Sequence, residues 1–153
     1  MVRRARQLTP RTLFRLAETV VYFGVSQVGF LLPPRALLGR WVQGTLGAPS
    51  GGRADRTEAA RLAWIDDAVA NRWPFGGRCL QRSLVLIWLL RRRGIEGQMR
   101  IGVLKGSDRM AAHAWVEVAG EPVNDTPSHC AAFEVFEAPA ERLVALVKLE
   151  KAS

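Results

Sequence analysis

Arg78-Cys79-Leu80-Gln81-Arg82-Ser83-Leu84-Val85-Leu86-Ile87-Trp88-Leu89-Leu90-Arg91-Arg92-Arg93-Gly94 is the stretch on which the fold turns. Gly76 and Gly77 release the backbone just before it. Arg91 to Arg93 are cations at the negative end of a helix dipole, and Gly94 suits the C′ position beyond the last turn. The unbroken apolar run from Leu84 to Leu90 predicts a helix buried on most sides rather than an amphipathic one. Its polar residues gather at the start: Cys79, Gln81, Arg82 and Ser83. A thiol there lies at the positive end of the dipole, which favours thiolate over thiol. A nucleophile presented in this way needs a base from elsewhere in the chain.

Beyond Gly94 the apolar period changes from helical to alternating. Gln98 to Lys105 reads as a strand, Gly106 to Asp108 as a turn and Met110 to Ala119 as a second strand. Gly120-Glu121 turns the chain into a third strand, Pro122 to Asp125, where proline is tolerated at the first position. Phe133 to Phe136 reads as a short last strand, and Ala138 to Lys151 as a terminal helix. Upstream, Thr9-Pro10 is an N-cap and N1 pair for a helix running towards Leu32. Pro33-Pro34 then stops that helix and opens another, Arg35 to about Leu46. Asp55 or Thr57 caps a helix through Asn71, with Ala60, Leu62, Ala63, Ile65, Ala68 and Val69 inward. Trp73 and Phe75, in the loop before Cys79, are either core or walls of a site.

Helices first and an antiparallel sheet after them make the class α+β. The division expected is a helical extension over 1–48, a Gly/Pro/Ser linker over 49–54 and a core over 55–153. The extension either packs on the core or offers a docking surface to a partner or a membrane. Its apolar part from Thr19 to Leu32 is too short to span a bilayer. Arg15 and Glu18 break the likeness of the N-terminus to a secretion signal, so a cytoplasmic protein is expected.

The chain has 153 residues, 48% of them hydrophobic and 24% charged, enough for one domain with a real core. Lys and Arg number 22 against 14 Asp and Glu, for a formal charge of +8. That balance fits attraction to an acidic peptide, protein or surface. The arginines are scattered without aromatic interleaving and no nucleic-acid motif is present, so no nucleic-acid partner is expected. The two cysteines, Cys79 and Cys130, do not make a disulfide scaffold. With His113 and His129 they lack the CxxC or HxxxH spacing of a zinc site, and no cofactor is expected.

The candidate bases are His113 and His129. In the strand Met110 to Val118, alternation sets His113, Trp115 and Glu117 on one face and Ala112, Ala114, Val116 and Val118 on the other. His129 with Cys130 is the rival pair, but adjacent side chains point apart and no helix start is evident there. Asp125 lies beyond the turn. A three-residue loop, Ala119-Gly120-Glu121, would pair Val118 with Pro122 and set Asp125 on the face of His113 as a diagonal neighbour, about 7–8 Å away between backbones. A two-residue loop would put the two on opposite faces. The expectation is therefore an odd loop or a bulge. A carboxylate on one imidazole nitrogen would hold the tautomer while the other nitrogen faces the thiol.

Cysteine at a helix start, histidine on a strand and aspartate on the next is the order of the papain and transglutaminase-like cysteine enzymes. The run Cys79 to Leu84, then Leu89 to Gly94, His113-Ala114-Trp115-Val116-Glu117 and Pro122-Val123-Asn124-Asp125 resembles more closely the lasso-peptide leader peptidases, over about Trp64 to Asp125. The resemblance implies a papain/transglutaminase-like core and a Cys79, His113, Asp125 triad. It implies removal of the leader from a ribosomally made precursor peptide, delivered by a small leader-recognition protein, before a lasso cyclase closes the ring. Members with a fused recognition domain carry a winged-helix-like module for which this chain has no room, so a separate partner is expected. The same triad would serve a transglutaminase-like acyltransferase, and a non-catalytic basic peptide-binding scaffold is the third reading. Residues of a substrate pocket are not legible.

Overall fold

A computed structural model describes residues 9–31, 52–74, 79–104 and 111–135. The helix expected from Arg35, the linker before Gly52, Phe75, the turn at Gly106 to Asp108 and the terminal helix from Ala138 lie outside the described residues. Within them the order is α1 (Pro10–Leu31), α2 (Arg56–Ala70), α3 (Cys79–Arg91), β1 (Gln98–Leu104), β2 (Ala112–Val118), β3 (Glu121–Pro122), α4 (Pro127–Cys130) and β4 (Phe133–Val135). The strands form one antiparallel sheet in the order β3-β2-β1-β4. The described residues are thus α+β: the α3 helix packs on a small antiparallel sheet, and α1 and α2 pack on α3.

The α3 helix is the hub. Leu84 to Ile87, Leu89 and Leu90 are buried, as a run apolar on every side requires. It ends as Gly94 predicts. Gly94 takes φ 63°, its N–H donates to the Arg91 carbonyl, and the Ile95 N–H reaches back to Leu90. These are the two bonds of a Schellman cap, and the fully buried Ile95 supplies its apolar contact. The terminal arginines do more than meet the dipole. Arg92 and Arg93 hold the nearly buried Glu18 of α1 at 2.9 and 2.5 Å.

Phe23, fully buried, joins α1 to this core, and Trp73 packs on it with ring centroids 5.4 Å apart. Trp73 is therefore a core residue. Arg15 pairs with Glu58, tying α1 to α2 as well. The inner side of α1 is thus a packing surface, while Leu13, Phe14, Val21 and Val28 lie exposed on its outer side. No helix among the described residues is long and apolar enough to cross a membrane.

The α2 helix is capped by Asp55, whose side chain accepts from the Glu58 N–H. Its inward stripe is Ala59, Leu62, Ala63, Asp66, Val69 and Ala70, with Ile65 beside it. Ala60 is exposed and Ala68 half-buried, contrary to the sequence expectation. The stripe recurs at three- and four-residue steps that run through Asp66, and skipping a charged residue shifts it. Asp66 is fully buried, neither carboxylate oxygen has a hydrogen-bond partner, and Arg82 Nε stands 3.7 Å away.

The third strand is much shorter than Pro122 to Asp125, and the loop before it is not the expected one. Glu117 pairs with Pro122 and Val118 with Glu121, leaving a two-residue turn. Ala119 and Gly120 take φ 53° and 77°. Two successive positive φ values make a type I′ turn, whose twist matches that of the strands it joins.

Asparagine tolerates the left-handed conformation better than alanine, so Ala119→Asn should raise the thermal midpoint, the gain being about 0.5–1 kcal/mol. Burial, only partly offset by Arg82, pushes the Asp66 carboxyl from 3.8 up to about 8. The folded protein then keeps a proton that the unfolded chain releases, so stability falls as pH rises through this window and levels off above it. Asp66→Asn should remove that dependence, leaving the variant more stable than the parent at pH 8, with the gap closing towards pH 4. A gap independent of pH would refute this account.

Candidate functional site

Cys79 is the first residue of α3, half-buried and packed against the core. The three polar residues that follow it each fasten the helix start to a different element. The buried Gln81 amide donates to Ser26 Oγ on α1 at 2.8 Å and to the Phe23 carbonyl at 3.3 Å. Arg82 bonds Asp67 of α2 at 2.7 Å. Ser83 Oγ, fully buried, donates to the Ala114 carbonyl of β2 at 3.0 Å. Ala114 adjoins His113 in sequence, and Cys79 lies one helical turn, about 6 Å along the axis, before Ser83.

The Ser83 bond exists because β3 leaves β2 early. Ala111 O accepts from Leu104 of β1, whereas Val116 O accepts from Val123 of the β3 side. By alternation, the polar groups of Ala114 and Val116 both point towards β3. After the Val123 bond the backbone bends away. The Val116 N–H is taken instead by the Asn124 side-chain oxygen at 2.8 Å, and the Ala114 carbonyl by Ser83. Asn124 Nδ2 then lies 3.3 Å from Ser83 Oγ, closing the bracket. One asparagine thus joins the strand, the bend and the helix that carries Cys79.

This departure meets the register problem by neither of the routes expected from the sequence. With a two-residue turn, a continued ladder would aim Asp125 away from His113. Neither an odd loop nor a ladder bulge is used. The chain leaves the sheet at Asn124, and Asp125 is released from strand alternation. Its Oδ2 then lies 2.5 Å from His113 Nε2.

Asp125 has two further partners. Oδ1 accepts from the Thr126 N–H at 2.6 Å, and Oδ2 also meets His129 Nδ1 at 2.8 Å. His129 reaches it because Thr126 caps α4, with Pro127 at its first position, so that residues 125 and 129 lie one turn apart. A helix therefore does start beside Cys130, contrary to expectation, and it turns His129 towards Asp125 while Cys130 points inward. Burial, aided by the nearby Asp125 and Glu117 charges, pushes the Cys130 thiol up to about 11, the wrong direction for a nucleophile.

Burial by itself would raise the Asp125 carboxyl, but bonds from His129, the Thr126 N–H and His113 outweigh it and hold the group below the usual carboxylate range. An ionised Asp125 accepts from both rings. His113 then carries its proton on Nε2 and keeps the Nδ1 lone pair for another partner.

Aromatic groups wall the His113 ring. Trp115 stacks on it at 5.9 Å and 19°, Phe133 lies at 5.1 Å and His129 at 4.8 Å, centroid to centroid. Trp115 is fixed in turn by its Nε1–H bond to Glu117 at 2.9 Å, and Glu117 accepts from Arg100 at 3.1 Å. Phe133 reaches the ring across Gly102, which faces His113 in the β1–β2 ladder. A Cβ at Gly102 would stand 2.7 Å from that of Phe133.

Among the described residues, His113, Asp125 and His129 form the group with metal-binding potential, their ligand atoms all within 4.8 Å of one another. The cysteine–histidine set weighed from the sequence is not the one brought together. From the sequence alone Ser83, Asn124 and Phe133 carry no assigned site role, and His129 stands as an alternative base paired with Cys130 and as one of the cysteine–histidine set. Thr126-Pro127 was the legible signal for His129, since a capped turn there sets it one turn after Asp125.

Asn124→Ala should leave the Val116 N–H unpaired and let the bend relax. The expected loss is about 1–3 kcal/mol, with faster amide exchange at Val116 and a displaced His113 ring signal in NMR spectra. Unchanged exchange at Val116 would show that the bracket does not hold the bend.

Comparison with curated proteins and with solved structures gave no match. A family model described as the transglutaminase-like superfamily matches residues 30–138. The matched segment holds Cys79, His113 and Asp125, and it begins within the region read from the sequence as a helical extension. Because the match spans well over half of the 153 residues, the chain belongs to the transglutaminase-like superfamily.

Proposed function

We propose that the protein is a cysteine peptidase that removes the leader from a lasso-peptide precursor. Membership of the superfamily supports the coarser part, thiol-based peptidase or acyl-transfer chemistry. The observation that carries the catalytic reading is the His113–Asp125 contact beside the strand edge to which Ser83 fastens the Cys79 helix. The leader-peptidase assignment is supported by the sequence resemblance from Trp64 to Asp125.

In this mechanism the Cys79 thiolate attacks the carbonyl carbon of the leader–core peptide bond. The Cys79 backbone N–H, at a helix N-terminus, stabilises the oxyanion. His113, protonated on Nδ1 by the thiol and held through Nε2 by Asp125, gives that proton to the departing core amine. It then takes a proton from water, which attacks the thioester and releases the leader as a free acid. Asp125 keeps the productive tautomer and steadies the imidazolium. A separate leader-recognition protein delivers the precursor, its acidic groups drawn by the net positive charge, and a lasso cyclase uses the freed amino terminus.

The test is incubation of the full chain with a candidate lasso precursor peptide and a candidate leader-recognition protein, followed by mass spectrometry. Cleavage at the leader–core bond is expected, and Cys79→Ala should abolish it, with a loss of at least about 10³-fold. His113→Ala should fall comparably. Cleavage that survives Cys79→Ala would overturn the proposal. An added amine appearing in the leader product instead of water would replace peptidase by acyltransferase.

A further inference from the structure

The three donors around Asp125 form a set that the peptidase mechanism does not exhaust. His129 has no role in thiol chemistry, yet its Nδ1 is aimed at the oxygen that holds His113. Two imidazoles and a carboxylate are ligands for zinc and its neighbours in the first transition row. Ligand bonds of about 2.0–2.2 Å put tetrahedral ligand atoms about 3.3 Å apart. The separations of 2.5 and 2.8 Å, with all three atoms inside 4.8 Å, bracket that value, so an ion needs only small side-chain shifts. The Thr126 N–H fixes Oδ1 and leaves Oδ2 for the other partners. Phe133 and Trp115 wall the inner side, and His129, with 52% of its side chain exposed, gives the way in from solvent.

We propose that His113 Nε2, Asp125 Oδ2 and His129 Nδ1 bind a zinc ion, and that its binding switches the Cys79 chemistry off. The metal needs the Nε2 lone pair of His113, so the proton on Nε2 moves to Nδ1. In the same way His129 carries its proton on Nε2. Both rings stay neutral and no net proton is released when the ion replaces the two hydrogen bonds to Asp125. The His113 nitrogen that should accept the thiol proton is now protonated, so the metal-bound form has no base for Cys79. Metal binding and catalysis exclude each other on a single ring. The inhibitory half rests on the peptidase reading; the binding site does not.

Binding is measured first on the full-length Cys79→Ala variant, which removes the thiol as a competing ligand. Zn(II) is titrated against a chromophoric chelator, and Co(II) serves as the spectroscopic probe. One equivalent of Zn(II) per chain is expected, with a visible Co(II) spectrum of a nitrogen–oxygen site. Adding His129→Ala should weaken binding at least about tenfold, and His129→Gln, which keeps a polar side chain of similar reach, should do the same if the alanine variant folds poorly. No stoichiometric zinc, or equal affinity without His129, overturns the site. In the cysteine-containing protein Zn(II) should stop precursor cleavage and EDTA restore it, with the inhibiting concentration raised at least about tenfold by His129→Gln. Zinc binding without any precursor cleavage would leave the site standing and sink the peptidase. Cleavage that bound zinc does not slow, or that zinc stimulates, would overturn the switch.

Discussion

Two buried backbone groups on one edge of β2 organise the site, the Val116 N–H and the Ala114 carbonyl. An unpaired backbone group in the interior costs about as much as a lost hydrogen bond, so a strand that ends early needs substitutes. Here both substitutes are side chains, Asn124 from the departing chain and Ser83 from the helix that carries Cys79. The same two residues also meet each other. Backbone satisfaction thus doubles as a positioning device. The helix start is drawn to the strand that bears His113, and the next residue after Asn124 is the carboxylate that His113 contacts.

The helix itself accepts this placement because it has little freedom left. A rod apolar on all sides must be enclosed, and α1, α2 and the sheet enclose it. The polar residues at its tip then spend their hydrogen bonds on those neighbours, Gln81 on α1, Arg82 on α2 and Ser83 on β2. Held on three sides, the first turn, which carries Cys79, has little freedom to shift. Asp66 is the weak member of this enclosure. Its carboxylate lies on the buried stripe of α2 with Arg82 too distant for a hydrogen bond, and the fold tolerates it by favouring the protonated form.

Much of this arrangement is legible in the chain before folding. Gly94 announces its own left-handed cap, Asp55 its helix and Thr9-Pro10 another, because capping depends on residues within one turn of each other. The two faces of β2 follow from alternation, with Ala114, Val116 and Val118 inward and His113 on the other face. Where a local rule had two outcomes, the choice went the other way. Loop length after Val118 could not be decided by composition, since Ala119 adopts a conformation that alanine seldom takes. The early end of β3 was hard to read because Val123 favours a strand and Asn124 disfavours one, so local preference does not place the break; the competing side-chain acceptor of Asn124 makes the bend.

The sequence by itself determined the kinds of element, the enclosed character of the Cys79 helix and the order of cysteine, histidine and aspartate along the chain. These are consequences of periodicity and capping, which act over a few residues. Only the tertiary structure decided that Asp125 faces His113, that His129 shares the same carboxylate oxygen and that Ser83 completes the edge of β2. Those contacts join segments whose meeting depends on where a strand leaves the sheet and how a buried helix is clamped. Both are set by the need to pair every buried polar group, a condition that the whole fold satisfies and that no local stretch can express.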